Sequence, residues 1–215
     1  MPKYQDWIVK LGGSLARSRR LYDWLDALAP RISVIVPGGG PFTAAAADLQ
    51  RYWRFHDAAA HRMAILGMAQ YGLMLHALRP ALGIAVGIDD LVGAAQPPGR
   101  IWLPSLADVE SMHALPADWS VSADSIALWL AARCGAGGLV LIKSVGSPHH
   151  PVPPANPVPE DWARRAQEGV VDAHFPVISA RAGLPVVLYG PDDAARFIAD
   201  HADDSERAPG IGLPD

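Results

Sequence analysis

Short apolar runs alternate with amphipathic stretches along this chain. Trp7, Ile8 and Val9 lie in a run over residues 6–11 that reads as a buried strand and stops at Gly12-Gly13-Ser14. Leu21, Trp24, Leu25 and Leu28 then recur at helical spacing over 19–29, and Pro30 ends that helix. The run Ile32-Ser33-Val34-Ile35-Val36 has the continuous apolar character of a strand in a parallel sheet. It ends in Pro37-Gly38-Gly39-Gly40-Pro41, so the order strand, glycine loop, helix occurs twice in close succession.

The remainder continues the alternation. Residues 43–78 read as one long helical region, in which Asp57 could cap an inner segment and His61, Ala64, Ile65, Met68 and Leu75 fall near one stripe. Strands are expected over 83–88 and 101–103. A helix follows over 126–133, with Ser122 or Asp124 as its cap. Residues 138–145 form the central-strand candidate Leu139-Val140-Leu141-Ile142, which runs into Lys143-Ser144-Val145-Gly146. The proline-rich stretch 147–159 cannot form regular structure and suits a lid or binding loop. A helix over 161–167, a strand over 185–189 and a helix over 192–200 complete the pattern, with a tail expected to fray after His201. Strands alternating with helices predict an α/β fold with a mostly parallel sheet. No internal repeat or clean domain boundary interrupts the 215 residues.

Composition narrows the function classes. Hydrophobic residues make up 50% and charged residues 19%, a globular balance. The formal net charge of -4 leaves no basic excess to neutralise a nucleic-acid backbone. No window reaches the ~20 apolar residues of a membrane span, and the N-terminus lacks the apolar core of a signal peptide. Cys134 is the one cysteine, so no intrachain disulfide can form, and a cytoplasmic, reducing setting is expected. Cys134 itself reads as a small core filler. Lys3, Lys10 and Lys143 are the only lysines in a chain that otherwise uses arginine. Each therefore marks a place where a compact ammonium could be needed.

Two of those lysines fall where open α/β sheets bind ligands, at the carboxyl ends of strands. Lys10 opens Lys10-Leu11-Gly12-Gly13-Ser14, whose glycines would let backbone N–H groups approach a phosphate. The same segment could equally be an ordinary strand-to-helix turn. It matches neither GxxxxGK[ST] nor GxGxxG, which disfavours a P-loop and a dinucleotide-binding oxidoreductase. Gly38-Gly39-Gly40 carries an entropic cost that close approach to a ligand would explain better than a simple turn. Asp124 could be only a helix cap and Lys143 only a lysine reaching the rim. Asp57 and His61, four residues apart on one helix, could line a pocket or pair on a surface. Asp172 and His174 flank a turn and could be functional or a local cap. His149 and His150 have no zinc-spaced companions. Trp119 and Trp129 lie near Asp124 and could meet a ring-bearing ligand, with core packing the more ordinary role.

Taken in order, Lys10 to Ser14, Gly38 to Pro41, Ser122-Ala123-Asp124 and Leu139 to Gly146 resemble the amino acid kinase family over most of the chain. Within it, the likeness is nearest to the kinase group of methanofuran-type cofactor biosynthesis, which acts on (aminomethylfuranyl)methyl phosphate. That likeness lies in the segments around Gly38, His61, Asp124 and Val171 to Pro176. The resemblance implies a three-layer αβα sandwich with an acceptor-binding part over about 1–118 and a nucleotide-binding part over about 119–203. It implies ATP and Mg2+, a small phosphate or carboxylate substrate, and a homo-oligomer. Lys10 would stabilise the transferring phosphoryl group and Asp124 would orient the lysines. Gly12, Gly13, Ser14, Ser144, Val145 and Gly146 would hold the nucleotide. Gly38, Gly39, Gly40, Pro41, Asp57, His61 and Ser122 would hold the acceptor.

Many members of that family carry a second catalytic lysine late in the chain, and no lysine follows Lys143 here. Lys143 or an arginine such as Arg181 would have to supply that charge. Loss of the late lysine also leaves room for a non-catalytic nucleotide or oxyanion binder on the same fold. Among kinases, the other acceptors are an amino-acid carboxylate, a nucleoside monophosphate or isopentenyl phosphate.

Overall fold

A computed structural model describes residues 7–32, 34–91, 99–144 and 159–201, with side chains from Trp162 onward in the last span. Six strands build one sheet: β1 (Trp7–Leu11), β2 (Val34–Pro37), β3 (Gly83–Val86), β4 (Arg100–Leu103), β5 (Gly138–Ile142) and β6 (Val186–Tyr189). Their spatial order is β3-β4-β2-β1-β5-β6, and every pairing is parallel. β1 lies inside the sheet, pairing Lys10 with Val36 on one side and Leu141 on the other. The chain first builds outward from β1 through β2 to β4 and β3. It then returns to add β5 and β6 on the opposite flank. Strand order reverses between β1 and β5, the switch point where open parallel sheets leave a crevice at their carboxyl ends.

Alternation along the strands sends successive side chains to opposite faces. Trp7, Val9 and Leu11 face the core built by Leu21, Trp24, Leu25 and Leu28 of α1 (Arg20–Leu28) and Phe197 of α8 (Ala194–Asp200). Ile8 faces the second core, which holds Ile126, Ala127 and Leu130 of α5 (Ala123–Arg133) and Phe175 and Ile178 of α7 (Phe175–Ala182). Trp162 of α6 (Pro159–Gln167) packs edge-on against Phe175 in this second core. Helices thus cover both faces of an α/β sheet.

The single helix expected over 43–78 is two helices, α2 (Gly40–Trp53) and α3 (Asp57–Leu78). Arg54 closes α2 in the left-handed conformation at φ 54°, and the His56 side chain caps α3 by accepting from the Ala59 N–H. The cap expected at Asp57 therefore falls one residue earlier. Two helices escape the hydrophobic pattern. Six-residue α4 (Leu106–Ser111) opens with a Ser105/Asp108 capping box. α7 carries Pro176 in its first turn, where a missing N–H costs nothing, and ends at Gly183 with φ 62°. The strand expected to run to residue 145 stops at Ile142. Val145, Gly146, the stretch 147–158 with His149 and His150, and the tail after His201 lie outside the described residues.

Candidate active site

Lys10 is the one polar residue of β1, and the alternation of that strand points it toward the α5 face. There it meets Asp124, the second residue of α5, with Nζ 2.8 Å from Oδ1. Lys143 follows the last residue of β5, and its Nζ lies 2.6 Å from the other oxygen, Oδ2. One carboxylate, 2% exposed, thus holds two ammonium groups side by side at the switch point. Two cations against one anion leave a positive excess. Both lysines line the mouth of a cleft of about 720 Å³ at the carboxyl ends of the strands.

The charges tune one another. Burial pushes the Asp124 carboxyl up, but the charges of Lys10 and Lys143 and their hydrogen bonds overcome it and hold it below the usual carboxylate value. Burial and the neighbouring Lys10 charge lower Lys143 to about 8, against the opposing pull of Asp124 and Asp172.

The two glycine loops close the cleft floor by packing against each other. The Gly12 N–H donates to the Ile142 carbonyl at 2.9 Å, and the Gly38 N–H donates to the Leu11 carbonyl at 2.8 Å. A Cβ on Gly13 would sit 2.2 Å from the Gly40 nitrogen, and one on Gly38 2.4 Å from the Gly13 nitrogen. Gly40 also needs its positive φ of 54°. Contact between the loops is therefore enough to require these glycines, a reason that close approach to a ligand does not supply alone.

α2 and α3 form the far wall, held together by the Thr43 hydroxyl donating to the Ala64 carbonyl. Asp48, His61, Ile65 and Met68 face the cleft from this wall. Desolvation keeps His61 below the usual imidazole value, partly offset by a hydrogen bond to the Asp118 backbone and by the Asp118 charge. Trp119 closes the same side. It is exposed rather than packed in the core, and its Nε1 donates to Gln50 Oε1 at 2.5 Å. Trp129 does lie in the core.

The same topology recurs in solved kinases. Uridylate kinase from Archaeoglobus fulgidus superposes with a TM-score of 0.64 at 15% identity, over 90% of this chain and 94% of that one. The UMP kinase from Bacillus anthracis does so at 0.63 and 16%, over 92% and 93%. This chain has the amino acid kinase fold. Aspartate kinase from Synechocystis shares the fold at a TM-score of 0.52 and 15% identity, the match covering 86% of this chain and 37% of the longer protein. No protein-family model and no curated protein matches the sequence.

On this kinase fold, Lys10, Gly12, Gly13, Ser14, Gly38, Gly39, Gly40, Pro41, His61, Ser122 and Lys143 converge on one cleft, with Asp124 beneath it. Asp57 does not join them. It is exposed as the first residue of α3, one turn before His61, and its carboxylate accepts from Gln50 Nε2 at 2.7 Å. Ser144 follows Lys143 without lining the cleft, and Arg181 is exposed on α7. Sequence reasoning missed Arg17 and Asp48 as lining residues, since neither belongs to a local motif, whereas Ile65 and Met68 line the cleft from the stripe that carries His61.

Proposed function

We propose that this chain is an ATP-dependent kinase transferring the γ-phosphoryl group to a small anionic metabolite. The observation that supports it most is the buried Asp124 carboxylate pairing Lys10 with Lys143 in the cleft lined by the two glycine loops. Phosphoryl transfer requires mainly positioning and neutralisation of spreading negative charge, which fixed ammonium groups and backbone N–H groups provide. ATP would supply the phosphoryl group, with Lys10, Gly12, Gly13 and Ser14 along its phosphates. Lys143 would supply the charge that the late lysine gives in relatives. Mg2+ would accompany the nucleotide's phosphates. The acceptor would lie between residues Gly38 to Pro41, His61 and Ser122.

For the acceptor we favour (aminomethylfuranyl)methyl phosphate, converted to its diphosphate. On the far wall, Asp48, which pairs with Arg51, and Trp119 line the cleft, and the indole would offer a face to a flat ring. A nucleoside monophosphate is the second reading, favoured by the fold shared with uridylate kinase. The test is Mg-ATP consumption against a panel of small phosphates and acids containing both acceptors, with Lys10→Ala as control. Turnover of one acceptor, lost in Lys10→Ala, supports the kinase and names its substrate. Binding of ATP without turnover of any acceptor favours a nucleotide-binding protein, and no binding of ATP overturns the reading.

A further inference from the structure

Asp172 lies in the turn between α6 and α7, far from β1 in sequence and absent from the cleft lining. Its carboxylate nevertheless collects five hydrogen bonds. Oδ2 accepts from the Ser122 N–H at 2.9 Å, the Ser122 hydroxyl at 2.8 Å and the Ser125 N–H at 3.0 Å. Oδ1 accepts from the Ser125 hydroxyl at 2.6 Å and the His174 N–H at 3.2 Å. In a capping box the third helical residue returns its side chain to the cap's own N–H. The third residue of α5 is Ser125, too short for that reach, and Asp172 does the work from another element. It takes both the cap N–H and the third-residue N–H, placing a negative charge where the helix dipole favours it. Asp124 sits between these two anchor points. The same turn also holds the segment bearing Trp119, because the His174 N–H donates to the Ser120 carbonyl at 3.0 Å.

We infer that Asp172 is the positioning residue of this site, clamping the first turn of α5 so that Asp124 presents one oxygen to each lysine. The inference rests on the kinase reading for its consequence in turnover, but not for its electrostatics. Among the described residues, the charged groups acting on the Lys143 ammonium are Lys10 from β1, Asp124 from α5 and Asp172 from the α6–α7 turn. Asp172 supports the protonated form, so its removal makes Lys143 lose its proton at lower pH. Both effects act through other residues.

The chain's three lysines make the test direct, since Lys3, Lys10 and Lys143 give a readily assigned spectrum in protein carrying 13C at lysine Cε. In Asp172→Asn, the Lys143 titration and the alkaline limb of kcat move together to lower pH. kcat falls by about 10- to 100-fold, the scale expected when reacting groups are slightly misplaced, and KM for ATP stays within about threefold. Ser125→Ala removes one bond and keeps the charge, so its Lys143 titration matches wild type. Asp172→Glu restores the charge and returns the titration toward wild type, and it carries the test should Asp172→Asn fail to fold. A Lys143 titration that does not move in Asp172→Asn overturns the inference whatever the turnover. So does a Ser125→Ala variant that shifts the titration as far as Asp172→Asn. A titration that moves as expected in a protein that phosphorylates nothing supports the clamp and refutes the kinase reading alone.

Discussion

At the scale of single residues, the site is held by a carboxylate that would be costly alone. Removing one partner of a buried ion pair leaves the other uncompensated, at a cost of about 3–5 kcal/mol. Asp124→Asn should therefore lower stability by that order in urea unfolding and abolish turnover, because two adjacent ammonium groups would repel. Lys143 gives a prediction with two opposite signs. Its pKa is lowered by burial to about 8, so above that value the folded protein binds fewer protons than the unfolded chain, until the ordinary lysine value of 10.5 is reached. Lys143 therefore makes stability rise with pH across that window, while turnover that needs the ammonium falls as pH passes through about 8. Melting of wild type relative to Lys143→Met, followed from pH 8 to 10, should show the rise, and kcat over the same range the fall. Lys10 and Lys143 were legible in the sequence because they are rare and stand at strand ends. Their shared partner rested on a resemblance, since a carboxylate on α5 reaches β1 and β5 only through tertiary packing.

Among the elements, the two glycine loops make one structural unit. Each follows a strand, and each needs glycine because the other lies against it. Gly13→Ala would drive a methyl group into the Gly40 backbone, an overpacking expected to cost about 1–3 kcal/mol. Both the melting midpoint and turnover should drop, whereas Gly135→Ala, which meets no atom within 4 Å, should spare turnover. These loops were readable because glycine runs at strand ends are a local signal. α7 was not, because its Pro176 looks like a breaker until the preceding turn shows it to be in the first helical turn. Nor was the break between α2 and α3, where arginine takes a left-handed conformation that its sequence does not announce. Of the far wall of the cleft, the His61 stripe was legible but Asp48 was not. Asp48 and His61 come from separate helices and share a surface only because α2 and α3 pack closely.

For the whole molecule, alternation of strands and helices foretold a parallel α/β sheet, and the sheet is parallel throughout. Strand order was not legible, because nothing in β5 names β1 as its neighbour. A ligand that binds only the folded form at about 100 times its Kd adds roughly 2.7 kcal/mol. Mg-ATP should thus raise the melting midpoint of wild type by about 5 °C or more and leave Lys10→Ala nearly unmoved. A differential scanning experiment with both proteins reads this directly. The placement of β1 between β2 and β5 has one more consequence, in the order of events as the chain is made. β1 and β2 emerge early from a ribosome, but the Gly12 N–H must wait for the Ile142 carbonyl, made much later. Pairings so distant in sequence form slowly and late. The carboxylate between the two lysines is therefore completed near the end of folding, and nascent chains that stop short of β5 should carry every early motif of the cleft and no working centre.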